Sequence, residues 1–207
     1  MHDFKVDDLE FVAFDTETTG LHKGSRLVEI SGIRFTPTKE VKPHFSTLVN
    51  PEIPIPAVAS RIHKIHDSMV QDQPLAEEVI SGFFQYAKNA ILVAHNLKFD
   101  LKILQGEMER LGIKIPPIFC VDTLAITRKW IPQLSSYRLS SLAEHLGIPC
   151  QNFHRALDDA MVVKEIVERV IQDFVKKNNR LPLLGEILDS HMLVSFPPPH
   201  LSLESDS

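Results

Sequence analysis

The periodicity of the hydrophobic residues changes once along this chain, and that change limits the folds it can adopt. Residues 9–15, 26–35 and 45–49 are strand candidates joined by short links, which is typical of an antiparallel meander. Beyond Pro56, helical spacing alternates with short apolar runs at residues 90–94 and 118–121. The pattern predicts an α/β fold with a five-stranded mixed sheet, in which the three-strand meander precedes parallel strands flanked by helices. The helix candidates are residues 75–87, 101–111, 122–130, 139–146 and 156–177.

Length and composition favour one domain followed by a tail. The 207 residues are 43% hydrophobic, enough for one sizeable core, which we place in residues 1–178. Residues 179–207 carry Pro182, a run of three prolines and an acidic serine-rich end, so we expect a loosely packed or partner-docking tail. Within it, residues 181–188 could form one short amphipathic helix.

Cysteine content and apolar run lengths indicate the compartment. Cys120 and Cys150 are too few for a disulfide framework, which favours a reducing, cytoplasmic location. The first ten residues lack the apolar region of a signal peptide, and no apolar stretch is long enough to span a membrane. The net charge of −5 gives no overall basic signature for tight duplex binding.

Acidic residues interrupt segments that are otherwise apolar. Asp15 and Glu17 lie two residues apart on a strand, so they leave the same face as Phe11 and Ala13. Asp100 follows the apolar run at 90–94, near the start of a helix, where the helix dipole alone could account for it. Carboxylates placed against a core are costly unless positive charge meets them, and bound divalent cations would supply it.

Two adjacent acids at the start of the last long helix point in different directions. Asp159 precedes Val163 by four positions and therefore faces the buried side, whereas Asp158 is expected at the helix surface. His154 lies five residues before Asp159, in the segment that enters the helix. A histidine there could simply cap the helix, or its imidazole could accept a proton from water.

Together, DTETTG (15–20), HNLKFD (95–100) and HRALDDA (154–160) resemble the three motifs of the DEDDh group of 3′–5′ exonucleases. This superfamily includes the proofreading epsilon subunit of bacterial DNA polymerase III and RNase T. Two further segments agree: RIHKIHDSMV (61–70) is similar to the family's I-H-G-I-x-x-x-M stretch, and VDTLAI (121–126) to its D-T-L-x-L helix. The resemblance covers roughly residues 10–173 and implies an RNase H-like fold.

The resemblance also implies a role for each residue that matches a motif. It assigns two Mg²⁺ or Mn²⁺ ions to Asp15, Glu17, Asp100 and Asp159, and the general base to His154. It assigns substrate contacts to Thr16, Thr18, Gly20, Leu21, His63, Asn96 and Phe99. The chain departs from the pattern at Lys64, where the family often has Gly.

The expected reaction is metal-dependent hydrolysis of terminal phosphodiesters, which releases nucleoside 5′-monophosphates from single-stranded or frayed DNA. Proofreading or repair, with a polymerase subunit as partner, would be its setting, and the resemblance leaves monomer and dimer equally open. The candidates for phosphate contacts are Arg26, Lys98, Arg128, Lys129 and Arg138, although most of these charges could simply be solvated at the surface.

Three alternatives stay open from the sequence. RNA could be the substrate, as in an RNase T-type exoribonuclease, because no residue in the sequence indicates whether the site accepts or excludes the 2′-OH. The chain could instead be a non-catalytic nucleic-acid or polymerase-docking module with the same fold. A zinc hydrolase built on His63 and His66 is a further reading, although no third ligand is evident.

Overall fold

The computed structural model describes residues 3–150 and 152–198. Its sheet contains six strands, β1 (Phe11–Thr18), β2 (Leu27–Thr36), β3 (Lys39–Leu48), β4 (Ile91–Ala94), β5 (Ile118–Asp122) and β6 (Leu193–Phe196). The helices are α1 (Ala57–His63), α2 (Asp67–Val70), α3 (Ala76–Tyr86), α4 (Lys98–Leu111), α5 (Thr123–Trp130), α6 (Leu139–Leu146), α7 (Ala156–Asn178) and α8 (Leu184–Ile187). Short 3₁₀ segments lie at Val6–Asp8 and Ser190–Met192.

The strand order is β3-β2-β1-β4-β5-β6. Strands β1, β2 and β3 pair antiparallel, whereas β4 pairs parallel with both β1 and β5. The α/β class and the mixed sheet predicted from the sequence are therefore confirmed. The predicted number of five strands is wrong, because β6 adds to the edge of β5 in antiparallel register.

Alternation along β1 divides the core between the two faces of the sheet. Val12 and Phe14 face one side and pack in a cluster with residues of α3 and α4. Phe11 and Ala13 face the other side and pack in a cluster with residues of α7. Gly32 of β2 lies where there is little room for a side chain, because a Cβ there would be 3.1 Å from atoms of Val12 and Phe83.

Several helices end where left-handed backbone is required. Gly112 and Gly147 follow α4 and α6 with φ of 68° and 63°, as their positions after the last apolar residue predict. Asn179 ends α7 in the same way, with φ of 53°. In the parts of the chain that the structure describes, no helix combines the length and the apolarity that crossing a bilayer would need.

The described part of the C-terminal segment packs against the rest of the chain. Leu184, Ile187 and Leu188 are buried in the cluster that includes Phe11 and Val163. The expectation of loose packing therefore fails for residues 179–198, since Leu184, Ile187 and Leu188 pack on the α7 face of the sheet and Phe196 packs in the cluster on the other face. The helix predicted at 181–188 is confined to α8. The division of the chain at residue 178 stays a prediction, and the acidic serine-rich end lies outside the described residues.

Candidate active site

Three elements bring the four predicted carboxylates to one end of the sheet. Asp15 and Glu17 lie in the second half of β1, which continues to Thr18, three residues further than the sequence pattern indicated. Asp100 is the third residue of α4, directly beyond the carboxyl end of β4. Asp159 lies in the first turn of α7, which packs on the same face of β1 as Phe11.

The acids are held in fixed positions by local hydrogen bonds. Thr16 donates its hydroxyl hydrogen to Oδ1 of Asp100 at 2.6 Å. Oδ2 of Asp159 accepts the backbone N–H of His154 at 2.9 Å, across a turn in which His154 has φ of 66°. Oδ1 of Asp159 is buried and has no hydrogen-bond partner. A buried carboxylate oxygen without a partner is costly, so it needs a ligand or a proton.

Burial raises the pKa of all four carboxyl groups. Burial and the charges of Asp100 and Asp159 hold the pKa of Asp15 well above its usual range. Burial, followed by the charge of Asp159, raises the pKa of Glu17 to about 8. Burial raises the pKa of Asp100 to about 7 against the lowering effect of the Thr16 hydrogen bond, and that of Asp159 to about 6. The site therefore concentrates negative charge that nearby cationic side chains do not balance.

These residues fit divalent cations. A carboxylate oxygen of Glu17, a ring nitrogen of His154 and a carboxylate oxygen of Asp159 all lie within 4.8 Å of one another. The charge of Asp100 raises the pKa of both Asp15 and Glu17, so Asp100 lies close to both of these acids. Hard cations prefer such oxygen donors, and Asp159 offers its unpaired Oδ1. The donor set thus supports bound divalent metal.

An open cleft of about 1120 Å³ lies over the acids. The lining includes all twelve residues to which the resemblance assigns metal, base or substrate roles: Asp15, Thr16, Glu17, Thr18, Gly20, Leu21, His63, Asn96, Phe99, Asp100, His154 and Asp159. The structure therefore brings together residues from four separate segments of the chain, namely 15–21, 63, 96–100 and 154–159. Their individual roles stay predictions.

Comparison with known proteins decides the family. The exonuclease family RNase_T matches residues 12–167, more than half of the chain. The chain belongs to this exonuclease family. The match includes all four carboxylates and His154, and it ends before the segment that forms α8 and β6.

Relatives of this chain occur both as separate subunits and as parts of larger proteins. It is 37% identical over 175 residues to the DNA polymerase III subunit epsilon of Treponema pallidum, covering 83% of this chain and 81% of that protein. It is 37% identical over 164 residues to the PolC-type DNA polymerase III of Caldanaerobacter subterraneus subsp. tengcongensis. That match covers 79% of this chain but only 12% of the polymerase.

Solved structures give the same architecture. Exonuclease X in complex with 5′ overhanging duplex DNA matches with 28% identity and a TM-score of 0.65, covering 86% of this chain and 98% of that one. The nuclease domain of 3′hExo, a DEDDh family member, matches with 18% identity and a TM-score of 0.71, covering 79% and 92%. The RNase H-like fold and the resemblance to DEDDh exonucleases are confirmed.

Within the cleft, the predicted substrate residues differ widely in exposure. Leu21 is 78% exposed, and the turn before it is fixed by the Thr18 hydroxyl, which donates to the carbonyl of Gly20. Asn96 is exposed and Phe99 is half-buried. His63 is only 2% exposed, and its Nδ1 accepts the N–H of Ile65 at 3.0 Å. The ring of His63 therefore also organises the turn after α1.

The structure separates the five basic residues proposed for phosphate contacts. Arg128 and Arg138 line the cleft, and the Arg128 guanidinium lies 5.7 Å from the centre of the Tyr137 ring. Arg26 is instead paired with Glu52 and Glu107, and Lys129 with Asp189. Lys98 is exposed and is absent from the lining of the cleft.

The zinc alternative is not supported by the geometry. Helix α1 ends at His63, and Lys64 follows with φ of 61°, so His66 is not on the same helical face. Among the residues that the structure describes, the cluster suited to a metal consists of Glu17, His154 and Asp159 and includes neither of these histidines.

Two residues that matter to the site were not singled out from the sequence. Glu29 lies on β2 directly opposite Glu17 and is 3% exposed, and it forms an ion pair with Arg155. A signal was present, because Glu29 falls among Leu27, Ile33 and Phe35 on one face of an alternating strand. An acid in that position needs a partner, but nothing in a single sequence identifies Arg155 as that partner.

Proposed function

We propose that the chain is a metal-dependent 3′–5′ exonuclease acting on single-stranded or frayed DNA ends. The observation that carries the proposal is the set of four acids beneath an open cleft, one of which keeps a buried oxygen without a hydrogen-bond partner. Family membership supports phosphodiester hydrolysis, and the products would be nucleoside 5′-monophosphates.

Asp15, Glu17, Asp100 and Asp159 would hold two Mg²⁺ or Mn²⁺ ions. Their all-oxygen donor set favours hard cations over zinc. When bound, such ions offset the charge of the four carboxylates, lower the pKa of water and stabilise charge on the phosphate. Thr16 would keep Asp100 oriented through the 2.6 Å hydrogen bond to Oδ1.

His154 would act as the general base. Its side chain is exposed at the cleft, and a ring nitrogen lies within 4.8 Å of ligand oxygens of Glu17 and Asp159. The hydrogen bond from its backbone N–H to Asp159 fixes the distance between the base and that carboxylate. In this position the imidazole could take a proton from a water molecule that attacks the terminal phosphodiester.

We expect the cleft to bind a single strand because its lining combines exposed apolar side chains with arginines. The exposed apolar residues are Leu21, Val58 and Ile62, which could contact splayed bases. Arg128 and Arg138 lie in the same lining, where they could contact phosphates. The same lining includes the candidate substrate residues Thr18, Gly20, Asn96 and Phe99.

DNA is the proposed substrate, and replication proofreading or repair is the proposed role. Support comes from relatives named DNA polymerase III and from Exonuclease X, whose structure contains 5′ overhanging duplex DNA. The T. pallidum epsilon subunit, most of which this chain covers, supports a polymerase subunit as partner. Such a role belongs in the cytoplasm, where free thiols such as Cys120 and Cys150 stay reduced.

The decisive assay compares 5′-labelled and 3′-labelled single-stranded oligonucleotides with Mg²⁺, with Mn²⁺ and with EDTA. A 3′–5′ exonuclease shortens the 5′-labelled strand stepwise and releases the 3′ label at once as a mononucleotide. Phosphorothioate linkages at the 3′ end should block both reactions. Failure to release the label with either metal would favour the non-catalytic docking module. Faster release from RNA of the same sequence would favour the RNase T-type alternative.

A further inference from the structure

Glu29 and Arg155 connect the central strands to the start of α7. Oε1 of Glu29 accepts a hydrogen bond from Nη2 of Arg155 at 2.7 Å. Oε2 accepts from Nε of Arg155 at 3.2 Å and from the backbone N–H of Ala156 at 2.9 Å. Arg155 is the N-cap residue of α7 but makes no capping hydrogen bond with its own side chain. Glu29 therefore caps this helix from another element of the fold.

The turn that carries His154 is consequently fixed from two sides. Asp159 accepts the backbone N–H of His154, and Glu29 accepts the N–H of Ala156, two residues further along the chain. His154 itself adopts left-handed backbone, with φ of 66°. Such a conformation costs about 1 kcal/mol or more for a residue other than glycine and persists only where the surroundings impose it.

Both oxygens of Glu29 accept hydrogen bonds, whereas Oδ1 of Asp159 has no partner. Glu29 lies opposite Glu17 in the register of β1 and β2, so, in addition to burial, its charge raises the pKa of Glu17, and the charge of Arg155 offsets part of this repulsion. Neither Glu29 nor Arg155 lines the cleft. The pair is therefore placed to act on the site without contacting substrate.

We propose that the Glu29–Arg155 ion pair is a positioning device, which sets the place of His154 relative to Glu17 and Asp159. The inference rests on the proposed function of His154 as the base. A displacement of about 1 Å can cost about 100-fold in rate when the reacting groups must be aligned. The pair thus acts on the turnover step rather than on substrate affinity.

The test uses Glu29→Gln, Arg155→Lys and Arg155→Ala in the full chain. In Glu29→Gln, the glutamine oxygen can still accept the N–H of Ala156, but the side chain no longer forms an ion pair with the guanidinium of Arg155. In Arg155→Lys, the positive charge is kept, but the two parallel N–H donors of the guanidinium are lost. We expect Glu29→Gln and Arg155→Ala to lower kcat by about 10–100-fold with KM within about threefold. Arg155→Lys should recover part of the loss.

The matched control is Glu10→Gln, which removes an acid from the Glu10–Arg34 pair at the opposite end of β1 and β2. Its kcat should stay at the wild-type value. All variants are assayed at a temperature at which thermal melting shows each of them folded.

Two readouts separate positioning from charge and from general destabilisation. In a His154→Ala background, Glu29→Gln should cost less than about threefold, because effects exerted through the same group do not add. Mn²⁺ affinity, measured by electron paramagnetic resonance, reports charge alone: Glu29→Gln removes a negative charge and Arg155→Ala a positive one. A purely electrostatic effect therefore moves the Mn²⁺ affinities of the two variants in opposite directions, whereas positioning lowers kcat in both.

The result that overturns the inference is an active wild-type enzyme whose Glu29→Gln variant loses the same factor with and without His154, or loses nothing. An inactive wild-type enzyme would instead overturn the proposed function. The proposal is also contradicted if the loss of kcat in the Glu29 and Arg155 variants follows their loss of melting temperature and if Glu10→Gln shows the same loss of kcat.

Discussion

Asp158 and Asp159 are adjacent acids in the first turn of α7 with different surroundings. Asp159 is 6% exposed, lines the cleft and keeps Oδ1 unpaired, whereas Asp158 is half-buried and is absent from the lining. The face that Asp158 shares with Val162 is not the solvated one we expected, because Val162 is fully buried in a cluster with residues of α6. Only Asp159 is placed to hold a metal.

Asp159→Asn should therefore lower kcat by about 10³-fold or more, because a lost ligand removes part of the several kcal/mol that metal ions contribute. Asp158→Asn, the matched control on the next residue, should stay within about threefold. The fold should survive in both variants, since asparagine at position 159 removes a buried charge. Equal activity of the two variants in the oligonucleotide assay would contradict the assignment of Asp159.

Lys64 occupies a position at which backbone geometry favours glycine. It follows α1 with φ of 61°, and its N–H donates to the carbonyl of Ser60 to close the helix. The family's frequent Gly at this position thus has a physical reason, which the sequence alone did not reveal.

Lys64→Gly should stabilise the protein by about 0.5–1 kcal/mol, because glycine adopts left-handed backbone without the clash of a Cβ. The control is Arg61→Gly, three residues earlier in α1, where glycine should destabilise by about 1 kcal/mol. Urea denaturation measures both. Destabilisation by both substitutions would show that φ at Lys64 stores no strain.

Elements β1, α4 and α7 bring four carboxyl groups close together, so the metal-free protein should become less stable as the pH rises and these groups ionise. The folded state raises the pKa of Glu17 to about 8 and that of Asp159 to about 6. A carboxyl group with a raised pKa binds its proton more tightly when folded, so protonation favours folding. The stabilisation is fully present below the usual carboxyl pKa values of 4.5 for Glu and 3.8 for Asp, and it is lost as the pH rises from those values to about 8 for Glu17 and about 6 for Asp159.

The melting temperature in EDTA should therefore rise as the pH is lowered from about 8, first through protonation of Glu17 and below about pH 6 also through protonation of Asp159. Mn²⁺ should raise the melting temperature near the upper of these two pH values, because an ion replaces the missing proton. The Glu17→Gln/Asp159→Asn double variant should show a weaker dependence on both pH and Mn²⁺. An unchanged dependence in that variant would mean that other groups cause it.

The loop between α5 and α6 holds the basic residues of the cleft in a defined position. Nε2 of His95 lies 2.8 Å from the carbonyl of Tyr137, and the Tyr137 hydroxyl donates to the carbonyl of Ile131. Arg128 lies over the Tyr137 ring. Among the ion pairs of the described residues, neither Arg128 nor Arg138 has a carboxylate partner, which leaves both side chains to interact with phosphates.

Arg138→Gln should raise KM for a long single strand and reduce the slope of log affinity against log salt by about 0.7, the value for one lost phosphate contact. Turnover of a dinucleotide, too short to reach the loop, should not change. Arg169→Gln on α7 is the control, because Arg169 does not line the cleft. Identical salt slopes for wild type and Arg138→Gln would place the strand elsewhere.

The sequence predicted most elements and the position of the acids, because these follow from local periodicity. Phe11, Ala13 and Asp15 share a face of β1 whatever lies beside the strand. Contacts between distant segments could not be predicted in this way. Arg155 and Glu29 are 126 residues apart, and β6 has only four residues beside a proline-rich stretch. Neither feature leaves a periodic signal.

The C-terminal segment forms hydrogen bonds with the N-terminal residues of the described chain and with helix α5. The N–H of Val6 donates to the carbonyl of Pro182, and the N–H of Leu184 donates to the carbonyl of Phe4. Nε1 of Trp130 donates to the carbonyl of Ile187 at 3.1 Å. Helix α5, which carries Arg128 into the cleft, is thus supported by residues that lie beyond the family match at 12–167.

This arrangement makes the segment part of the folding unit. Burying Leu184, Ile187, Leu188 and Phe196 contributes about 1.5–3 kcal/mol for each side chain before the entropy of ordering the segment. That sum is comparable with the roughly 5–15 kcal/mol that stabilises a typical domain. A chain ending at residue 178 should therefore fail to fold.

Point variants test the same idea without truncation. Leu188→Ala, at a side chain only 2% exposed, should cost about 2–5 kcal/mol. Val194→Ala, on β6 at 40% exposure, should cost about 1 kcal/mol or less. Urea denaturation gives both values. A truncated protein that melts and cleaves DNA like the full chain, together with a silent Leu188→Ala, would restore the loosely attached tail and make residues 1–178 the complete catalytic unit.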